Sequence, residues 1–486
     1  MRFLGIGFVN HDTNITLYDE GKLSYFKYER NTQVKHQRVY LHRILQDVEN
    51  IFGYKLEEYD AIASSYIGHA REEIVTHTPL PENDNCWQID HHRLHYYSGL
   101  TLGGLDSDIS IVIDGVGNEH SWSIHNKEGI IHRFRHENGS VGNTLEKMSE
   151  WMQIPAQYPI DVAGKFMGMQ SYGTVDEGFL QYLRETNNPF EYFANIGDPI
   201  NWVMHHRNNT IKQHQMLDYA ATVHRALGDI VHTLFEAFAK PTDKIIYTGG
   251  AAQNVLWNSE LIKRFPNTII PPYSTDEGLS IGAVNFLCEK YDAPLGVFDN
   301  FPYSQVDVSV EEPSDATIDA AAKALAEGKV VAWYQGHGEI GPRALGNRSI
   351  LMDPRLPNGK DVINEVKNRE QYRPFGATVL IEHADSVLEE WTQDKYMLFS
   401  SIIKDGYPAI THVDKTCRCQ TLENENPVFR KLLERFYQYT GCPVLLNTSL
   451  NVAGDPIAGS PADATYLFST KETLDMLVIG DTVHKK

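Results

Sequence analysis

Two histidines spaced four residues apart give the chain its first recognisable chemistry. They are His91 and His95 in the run HHRLH. On a helix, residues at i and i+4 project from one face about one turn apart, so both imidazoles can bind the same metal ion. Imidazole suits iron, zinc, nickel or copper better than magnesium. A pair of exposed histidines on a helix surface would give the same spacing, and the pattern alone leaves both interpretations open.

Two carboxylates stand at positions where α/β sheets place ligand sites. Asp114 follows the continuous apolar run at 109–113, which predicts a strand buried on both faces. Asp276 precedes the small-residue start of a predicted helix. Carboxylates at the ends of strands and at strand-to-helix turns can reach a metal ion, or a nucleotide phosphate through magnesium. The alternative for each is an aspartate that caps a helix or forms a turn.

A pair of glycines marks another turn between a strand and a helix. Gly249 and Gly250 follow the predicted strand 244–247 and precede Asn254. Two glycines allow the backbone to approach a phosphate or a ribose closely. The turn lacks the Gly-Lys-Ser/Thr of a P-loop and the third glycine of a dinucleotide fingerprint, so an ordinary tight turn is the alternative.

Five cations lie within 31 positions, from 343 to 373, in a chain whose formal net charge is −21. They are Arg343, Arg348, Lys367, Arg369 and Arg373. Guanidinium groups bind phosphate in a bidentate manner and lysine adds a point charge. The cluster therefore predicts a polyanionic ligand, such as a nucleoside triphosphate together with an acyl phosphate. The alternative is a salt-bridged network with nearby carboxylates, namely Asp353, Asp361, Glu365 and Glu370.

A polar run of side chains ends the apolar strand predicted at 444–446. This run, NTSLN, contains Asn447, Ser449 and Asn451. Its hydroxyl and amide groups can bind the oxygen atoms of a phosphate or a carbonyl group.

The elements around these residues alternate strands, glycine-rich turns and helices, which predicts an α/β fold. The opening residues read as short strands joined by tight turns, one of them at Gly21. Apolar residues recur every three or four positions between 217 and 238, which predicts an amphipathic helix. Acidic residues and prolines at 297–314 predict a linker, followed by a helix at 316–326 and a strand at 330–334.

Composition excludes several classes of protein. The 486 residues are 42% hydrophobic and 22% charged, which excludes collagen, a coiled coil or a mostly disordered chain. The net charge of −21 argues against tight non-specific binding of duplex nucleic acid. The sequence shows no apolar run of about 18 residues, no signal-peptide pattern at its start, and an odd number of cysteines. We therefore expect a cytoplasmic protein that does not span a membrane.

Taken together, these segments resemble the O-carbamoyltransferases of the NodU/CmcH type over almost the whole chain. The most specific stretches are GPRALGNRSILMDPR and KNREQYRPF. The resemblance also includes HHRLH, the glycine pair, NTSLN, the opening residues 5–12, the AGKFMG run at 163–168, and Arg418. The sequence departs from the family pattern at Leu450, Lys415 and Gln170-Ser171, which we expect to alter the acceptor pocket.

The resemblance implies a two-domain α/β enzyme. Residues 1–300 would form an actin/Hsp70-type (ASKHA) ATPase-like domain that transfers the carbamoyl group, and residues 313–486 a YrdC-like α/β domain that forms carbamoyl-adenylate. The family uses carbamoyl phosphate and ATP, and passes the carbamoyl group to an acceptor hydroxyl. We expect the hydroxyl of a small molecule. The alternative is the hydroxymethyl group of a 5-hydroxymethylpyrimidine, such as 5-hydroxymethylcytosine, in a nucleotide or in DNA. A homodimer is a possible assembly.

The resemblance also implies roles for individual residues. The divalent metal would be iron(II), with magnesium accompanying ATP, and its ligands would be His91, His95, Asp114 and Asp276. The catalytic residues would include Asp114 and Lys367. The chemistry of the transfer step adds His11 and Asp12, near the first turn, as catalytic helpers of the attacking hydroxyl. The residues that bind substrate and nucleotide would be Lys165, Gly249, Gly250, Asn254, Arg343, Arg348, Lys367, Arg369, Arg418, Asn447, Ser449 and Asn451.

Two rival functions follow from parts of the same pattern. A metallopeptidase would use the histidine pair, but zincin sites carry His-Glu-x-x-His, and here His92, Arg93 and Leu94 supply no general base. A nucleotide-gated binding module would bind nucleotide without needing Lys367 and Arg369. Loss of adenylate formation when both are replaced by alanine would distinguish an enzyme from such a module.

Overall fold

The computed structural model describes residues 1–8, 11–65, 74–75, 85–136, 139–185 and 213–486. They form a mixed α/β fold, which confirms the predicted class. The chain divides into two compact units. The first contains Met1–Ser64, Leu80–Cys86 and Ala283–Lys486, and the second contains Ser65–Pro79 and Trp87–Gly282. The functional domains expected at 1–300 and 313–486 follow a different division and stay a prediction, as does their likeness to ATPase-like and YrdC-like folds.

The first unit begins with a sheet built on a hairpin. In this sheet β1 is antiparallel to β2 and parallel to β4, and β2 is antiparallel to β3. Glu20 and Gly21 join β2 to β3 with positive φ at both residues, which is typical of a type I′ turn and confirms the hairpin. In chain order the elements are β1 (Arg2–Gly7), β2 (Asn14–Asp19), β3 (Lys22–Lys27), α1 (Tyr28–Thr32), α2 (Leu41–Phe52) and β4 (Ala61–Ser65).

The middle of the chain supplies a second sheet, in the order β11-β10-β7-β8-β9. Here β10 is parallel to β7 and β11, whereas β8 and β9 are antiparallel additions. In this part of the chain β5 and β6 form an antiparallel pair that is not part of the second sheet. In chain order the elements are β5 (Ile74–Val75), β6 (Cys86–Ile89), α3 (His91–Gly103), β7 (Ile109–Gly117), β8 (His120–Asn126), β9 (Gly129–Arg135), α4 (Val141–Trp151), α5 (Val162–Met169), α6 (Glu177–Glu185), α7 (Gln213–Phe238), β10 (Ile245–Thr248), α8 (Val255–Arg264), β11 (Thr268–Ile269) and α9 (Leu279–Lys290).

The register of the second sheet explains why the glycine pair lies beside Asp114. Thr248 of β10 is paired with Val112 of β7 in a parallel ladder. The next residues of both strands, Gly249-Gly250 and Ile113-Asp114, therefore leave the ladder side by side. Helix α7 includes the predicted amphipathic segment at 217–238, which is confirmed.

The C-terminal part of the first unit is an eight-stranded sheet in the order β15-β16-β14-β17-β13-β12-β18-β19. Its elements are α10 (Asp315–Ala326), β12 (Val331–Tyr334), β13 (Arg348–Met352), α11 (Gly359–Lys367), β14 (Gly376–Leu380), α12 (Ala384–Val387), β15 (Ser401–Ile402), β16 (Thr416–Leu422), α13 (Pro427–Thr440), β17 (Val444–Ser449), α14 (Pro461–Thr470), β18 (Met476–Ile479) and β19 (Thr482–Lys485). The predicted helix at 316–326 and strand at 330–334 are confirmed as α10 and β12. Across the described residues, no helix is both long and apolar enough to cross a membrane.

Candidate active site

Helix α3 carries the histidine pair and packs closely on the sheet of the second unit. Asp90 caps its amino end, and the Asp90 side chain accepts a hydrogen bond from the N–H of Arg93 (3.0 Å). Further along, Gly99 and Gly103 face Ile246 of β10 so closely that a Cβ atom at either position would overlap the Ile246 side chain. These two glycines therefore allow the helix to approach the sheet at the distance that the site requires.

Four side chains come together here as a compact group of potential metal ligands: His91, His95, Asp114 and Asp276. The Nε2 atoms of the two histidines are 3.1 Å apart. Nε2 of His91 lies 3.0 Å from Oδ2 of Asp114 and 3.3 Å from Oδ1 of Asp276. Nε2 of His95 lies 3.8 Å and 3.3 Å from the same two oxygen atoms. The structure thus brings together all four side chains that the sequence analysis expected as ligands. We call them the four-ligand cluster.

The spacing of these four atoms fits a bound metal ion. Metal–ligand bonds of about 2.0–2.2 Å in a tetrahedral site separate neighbouring ligand atoms by about 3.3–3.6 Å. The observed separations, from 3.0 to 3.8 Å, lie around that range. Two imidazoles with two carboxylates also form a donor set that suits iron or zinc better than magnesium.

The charges of the cluster favour a bound cation as well. Burial disfavours the charged form of His91, but Asp276 and Asp114 outweigh burial and hold the pKa of His91 well above its ordinary value. Burial would raise the pKa of Asp114, but its hydrogen bond with His91 prevails and the pKa of Asp114 is lowered. The two carboxylates therefore stabilise a positive charge among the four side chains. A bound metal ion would provide that charge more directly than a proton.

The glycine turn after β10 supports Asp114 directly. Gly249 has a φ of +93°, and a Cβ atom there would overlap the backbone of Ile113. The N–H of Gly250 donates a hydrogen bond to Oδ1 of Asp114 (2.9 Å), which is the oxygen atom that does not contact His91. The turn therefore orients this carboxylate, and its contact with a phosphate or a ribose stays a prediction.

Two other residues expected to bind substrate make local contacts in the second unit. Asn254 caps α8 by accepting a hydrogen bond from the N–H of Trp257 (3.3 Å), and its amide nitrogen lies 2.9 Å from Nε2 of His224. Lys165 lies on α5, where its ammonium group donates to the carbonyl of Pro155. Neither residue belongs to the four-ligand cluster, and the substrate-binding role of each stays a prediction.

A second group of charged side chains surrounds Asp12 in the first unit. The backbone of Asp12 is left-handed (φ 53°) and its side chain is buried. Oδ2 of Asp12 lies 2.9 Å from Nδ1 of His11 and 3.0 Å from Nδ1 of His36. Oδ1 forms a salt bridge with Nζ of Lys27 (3.0 Å), which also binds Glu29 (2.8 Å). His11 and Asp12, both expected as catalytic residues, are thus in direct contact.

This second group does not fit a metal ion, although Asp12, Glu29 and His36 are close enough to share one. The ammonium group of Lys27 lies between the two carboxylates, where a metal cation would have to bind, and its side chain is only 4% exposed. Burial would raise the pKa of Asp12, but Lys27 and the two histidines lower it well below its ordinary value. The group is suited to hold or move a proton at an imidazole whose orientation Asp12 fixes.

Several cations of the C-terminal half lie near the neighbouring strands β16, β14 and β17 of the eight-stranded sheet. Gly376 of β14 is paired with Asn447 on one side and with Arg418 on the other. Lys367, at the end of α11, is buried, and its Nζ donates hydrogen bonds to the carbonyl (2.6 Å) and the hydroxyl (3.0 Å) of Ser449 and to the side chain of Asn451. Several residues expected to bind substrate therefore lie together.

Arg369 extends this group, which we call the cation cluster (Lys367, Arg369, Arg373 and Arg418). Its guanidinium lies over the ring of Phe375, 3.9 Å from the ring centre, and donates to Oδ1 of Asn364 and to the carbonyl of Pro374, both at 2.9 Å. Burial lowers the pKa of Arg369 well below its ordinary value, and the charges of Arg373 and Arg418 lower it further.

Lys367 is affected in the same way as Arg369. Burial lowers the pKa of Lys367 well below its ordinary value, and Arg369 and Arg373 add to the effect. Cations that disfavour one another's charge in this manner are stabilised when a polyanion binds among them.

Other predicted residues of this region have mainly local partners. Arg348 is fully buried, forms a salt bridge with Asp307 (2.9 Å) and stacks on the ring of Tyr334 (3.6 Å). The salt bridge of Arg348 agrees with the alternative of a salt-bridged network, although Asp307 is not one of the carboxylates that the sequence analysis named. A contact between Arg348 and a phosphate stays a prediction. Asn447 is buried and donates to the hydroxyl of Thr378 (3.0 Å).

The sequence analysis also missed two buried carboxylates that each hold a loop. Oε1 of Glu339 accepts hydrogen bonds from the N–H groups of Leu345 (2.8 Å), Asn347 (2.8 Å) and Arg348 (3.2 Å), and so holds the loop that carries half-buried Arg343. The other is Asp394, whose carboxylate accepts from three N–H groups of its own loop, those of Tyr396, Leu398 and Phe399. The one available signal was an acidic residue two positions before Gly341-Pro342, at Glu339.

The fold and these clusters define an α/β enzyme with one site suited to a metal ion and another suited to a polyanion. Comparison with known families identifies its class. Residues 83–285 match the family model described as the carbamoyltransferase N-terminus, and residues 322–486 match the carbamoyltransferase C-terminus. The chain belongs to the carbamoyltransferase family, which confirms the resemblance found in the sequence.

Relatives with described names agree with this membership. Nodulation protein NolO of Bradyrhizobium diazoefficiens is 30% identical, over 82% of this chain and 79% of the relative. A 3'-hydroxymethylcephem-O-carbamoyltransferase of Streptomyces clavuligerus is 35% identical, over 53% of this chain and 53% of the relative. Among solved structures, HypF of T. kodakarensis is 12% identical with a TM-score of 0.39, over 60% of this chain and 48% of HypF. With a TM-score this low, the likeness to HypF gives no information about activity.

Proposed function

We propose that the chain is an ATP-dependent O-carbamoyltransferase that uses carbamoyl phosphate, forms carbamoyl-adenylate and transfers the carbamoyl group to a hydroxyl of a small molecule. The cation cluster is the observation that carries this proposal. Lys367 and Arg369 donate their hydrogen bonds to neutral oxygen atoms, so the bonds do not neutralise the positive charge of either side chain. Arg418 contributes a buried Nε that has no hydrogen-bond partner among the described residues. ATP and carbamoyl phosphate are polyanions of the kind that such a cluster binds.

The first stage makes the activated carbamoyl group. Water cleaves carbamoyl phosphate to carbamate and inorganic phosphate, a carbamate oxygen attacks the α-phosphorus of ATP, and pyrophosphate leaves. The cation cluster would stabilise the negative charge that develops on the phosphate oxygens. The resulting mixed anhydride is a better carbamoyl donor than carbamoyl phosphate because AMP is the better leaving group.

The second stage transfers the group. The acceptor oxygen attacks the carbamoyl carbon, AMP leaves, and the hydroxyl proton passes to a base. His11 is our candidate for that base, since Asp12 holds its Nδ1 at 2.9 Å and so fixes the ring. His91, His95, Asp114 and Asp276 would hold a divalent metal, expected to be iron(II), which when bound would supply Lewis-acid stabilisation of developing negative charge.

The class of acceptor is inferred from one relative and from charge. That relative is named for carbamoyl transfer to a 3'-hydroxymethyl group of a cephem, and we extend this to a hydroxyl of a small molecule. A chain with a net charge of −21 is poorly suited to bind a long duplex across its surface.

The test uses the full chain with labelled carbamoyl phosphate, ATP, magnesium and pools of sugars, antibiotics, nucleotides and hydroxymethylcytosine DNA. We expect AMP, pyrophosphate and a small-molecule product whose mass has increased by one carbamoyl group. Lys367→Ala and Arg369→Ala should each reduce pyrophosphate formation by about 10²–10³-fold, as expected when one donor to developing charge is removed. Lys323→Ala is the matched control, because Lys323 is an exposed cation of the same unit that pairs with Asp319.

The possible failures can be told apart. If neither AMP nor pyrophosphate forms with any acceptor, the proposed reaction is wrong. A carbamoylated product found only among the nucleotides or the DNA would contradict the proposed acceptor and leave the chemistry standing.

A further inference from the structure

Three buried residues form a hydrogen-bonded relay beside the four-ligand cluster, and the proposed reaction does not use them. Nδ1 of His92, on α3, lies 2.9 Å from Oγ of Ser123 on β8. The same Oγ lies 2.7 Å from Nε2 of His125. The other ring nitrogen of His92, Nε2, lies 3.1 Å from the carbonyl oxygen of His120. The side chains of His92, Ser123 and His125, which we call the relay, are at most 1% exposed.

The direction of each hydrogen bond in the relay follows from its chemistry. The carbonyl of His120 can only accept, so Nε2 of His92 carries the hydrogen. In the neutral tautomer that carries its hydrogen at Nε2, the Nδ1 of His92 is an acceptor. The hydroxyl of Ser123 must therefore donate to His92, and with its only proton used it accepts from Nε2–H of His125. The relay thus has a single arrangement of hydrogen atoms.

The relay joins helix α3 to strand β8. Successive residues of an α-helix are rotated by about 100°, so His92 points away from the face that carries His91 and His95. The ring of Tyr96, also on α3, stacks on His125 with 5.1 Å between ring centres and 7° between planes. Two side chains of the helix therefore contact the same short segment of β8.

Other contacts leave His91 little room to move. A Cβ atom at Gly117 of β7 would overlap the ring of His91. On another side of the helix, Gly99 and Gly103 lie directly against Ile246. A rotation of α3 about its axis would therefore break the relay and also disturb close packing on β7 and β10.

We propose that the relay is a positioning device for the metal site. It holds α3 in the rotation at which His91 and His95 face Asp114 and Asp276, and it thereby sets the affinity of the four-ligand cluster for a divalent transition metal. This inference rests on the metal site of the proposed function. Groups that support metal-binding histidines commonly change metal affinity by about 10–100-fold when they are removed.

The test measures metal binding by the full chain with cobalt(II) as the probe. The protein is stripped with a chelator, titrated with cobalt(II) and followed by visible absorption, with stoichiometry from elemental analysis. Ser123→Ala removes both links of the relay. His92→Asn keeps an acceptor near the position of Nδ1 and loses the donor to His120, whereas His92→Gln keeps that donor and loses the acceptor. We expect Kd to rise by about 10–100-fold in Ser123→Ala and by less in the two His92 variants, which each keep one of the two hydrogen bonds of the side chain at position 92.

His224→Gln is the matched control. His224 is another buried histidine of the second unit, and it contacts Asn254 rather than the relay. The His224→Gln substitution should lower the thermal midpoint of the chelator-treated protein without changing Kd for cobalt(II). Circular dichroism of each stripped variant checks that it folds, and the two His92 variants provide the test if Ser123→Ala does not.

The outcomes separate this inference from the proposed function. If the unaltered protein binds no cobalt(II), the metal site itself is wrong. If it binds and the relay variants bind as tightly, the metal site stands and the positioning role is overturned. The positioning role is also overturned if the relay variants behave like His224→Gln, with a lower thermal midpoint and an unchanged Kd.

Discussion

Asp394 and Glu339 each use one carboxylate to hold several backbone N–H groups of a loop in the first unit. Such hydrogen bonds favour the charged carboxylate, and burial opposes it. At Asp394 burial prevails over the N–H groups and over the charge of Arg418, and it raises the pKa of Asp394 to about 6. The loop at 394–399 is therefore built around a group that titrates close to neutral pH.

Asp394→Asn should flatten the pH dependence of stability between about pH 4 and pH 6. The pKa of Asp394 is raised in the folded protein above its ordinary value of 3.8, so its contribution to stability is present below about pH 4 and lost as the pH rises through about 6. A shift of about two units corresponds to about 3 kcal/mol over that window. Urea unfolding of both proteins across the window, followed by tryptophan fluorescence, measures the difference.

Asp405→Asn is the control for this prediction, because Asp405 is an exposed aspartate of the same unit. It should retain the pH dependence of the unaltered protein. The asparagine at 394 cannot accept the N–H of Phe399 as Oδ2 does, so the variant should also be less stable overall by about 1–3 kcal/mol. Parallel pH profiles for the unaltered protein and Asp394→Asn would contradict the assignment.

Some residues of these sites could be predicted from the sequence, and others could not. His91 and His95 were predicted to act together because helical spacing is a local property, and Asp114 because it follows a run that reads as a buried strand. Lys27 and Glu339 were not predicted. Lys27 pairs with Asp12, fifteen positions earlier, as well as with Glu29, and Glu339 binds the backbone N–H groups of a loop. Neither arrangement leaves a periodic pattern in the sequence.

Helix α3 is the element on which the four-ligand cluster depends most. Gly99 and Gly103 set its distance from β10, and neither was recognised in the sequence, since a glycine in a helix reads only as a weak helix former. The register of the strands could not be predicted from the sequence either. The pairing of Gly376 with both Asn447 and Arg418 brings together residues about 30 to 70 positions apart, and only the assembled sheet reveals it.

Gly99→Ala should displace α3 and weaken metal binding. The added Cβ atom would overlap the side chain of Ile246, and overpacking of this kind costs about 1–3 kcal/mol. We expect a lower thermal midpoint together with a higher Kd for cobalt(II). Gly164→Ala is the matched control, because it adds the same methyl group to helix α5 of the same unit where nothing lies within 4 Å. An unchanged Kd in Gly99→Ala would show that the helix distance does not matter to the site.

At the scale of the whole molecule, the candidate metal site and the candidate polyanion site belong to different compact units. The four-ligand cluster lies in the second unit, and the cation cluster and the Asp12 group lie in the first. If the proposed function is correct, each half of the reaction can be impaired separately.

Removal of the transition metal should therefore spare the first stage of the reaction. With magnesium kept in excess, stripped protein and Asp276→Asn should form pyrophosphate from ATP and carbamoyl phosphate within about twofold of the loaded enzyme. Transfer to the acceptor should fall by at least about tenfold, since the Lewis acid would be missing. Lys367→Ala should show the opposite pattern, with cobalt(II) affinity retained and pyrophosphate lost. Equal loss of both stages on stripping would contradict the separation.

The first unit draws its residues from both ends of the chain, 1–64 and 283–486, whereas the second comes mostly from the segment between them. A ribosome adds about 5–20 residues per second, so the 204 residues from 283 to 486 take about 10–40 seconds to appear. During that time the middle segment can complete its own core. The opening strands, already made, meet the rest of their unit only when the last two fifths of the chain emerge. A nascent chain that stalls near residue 283 would therefore carry one finished unit and only the opening part of the other.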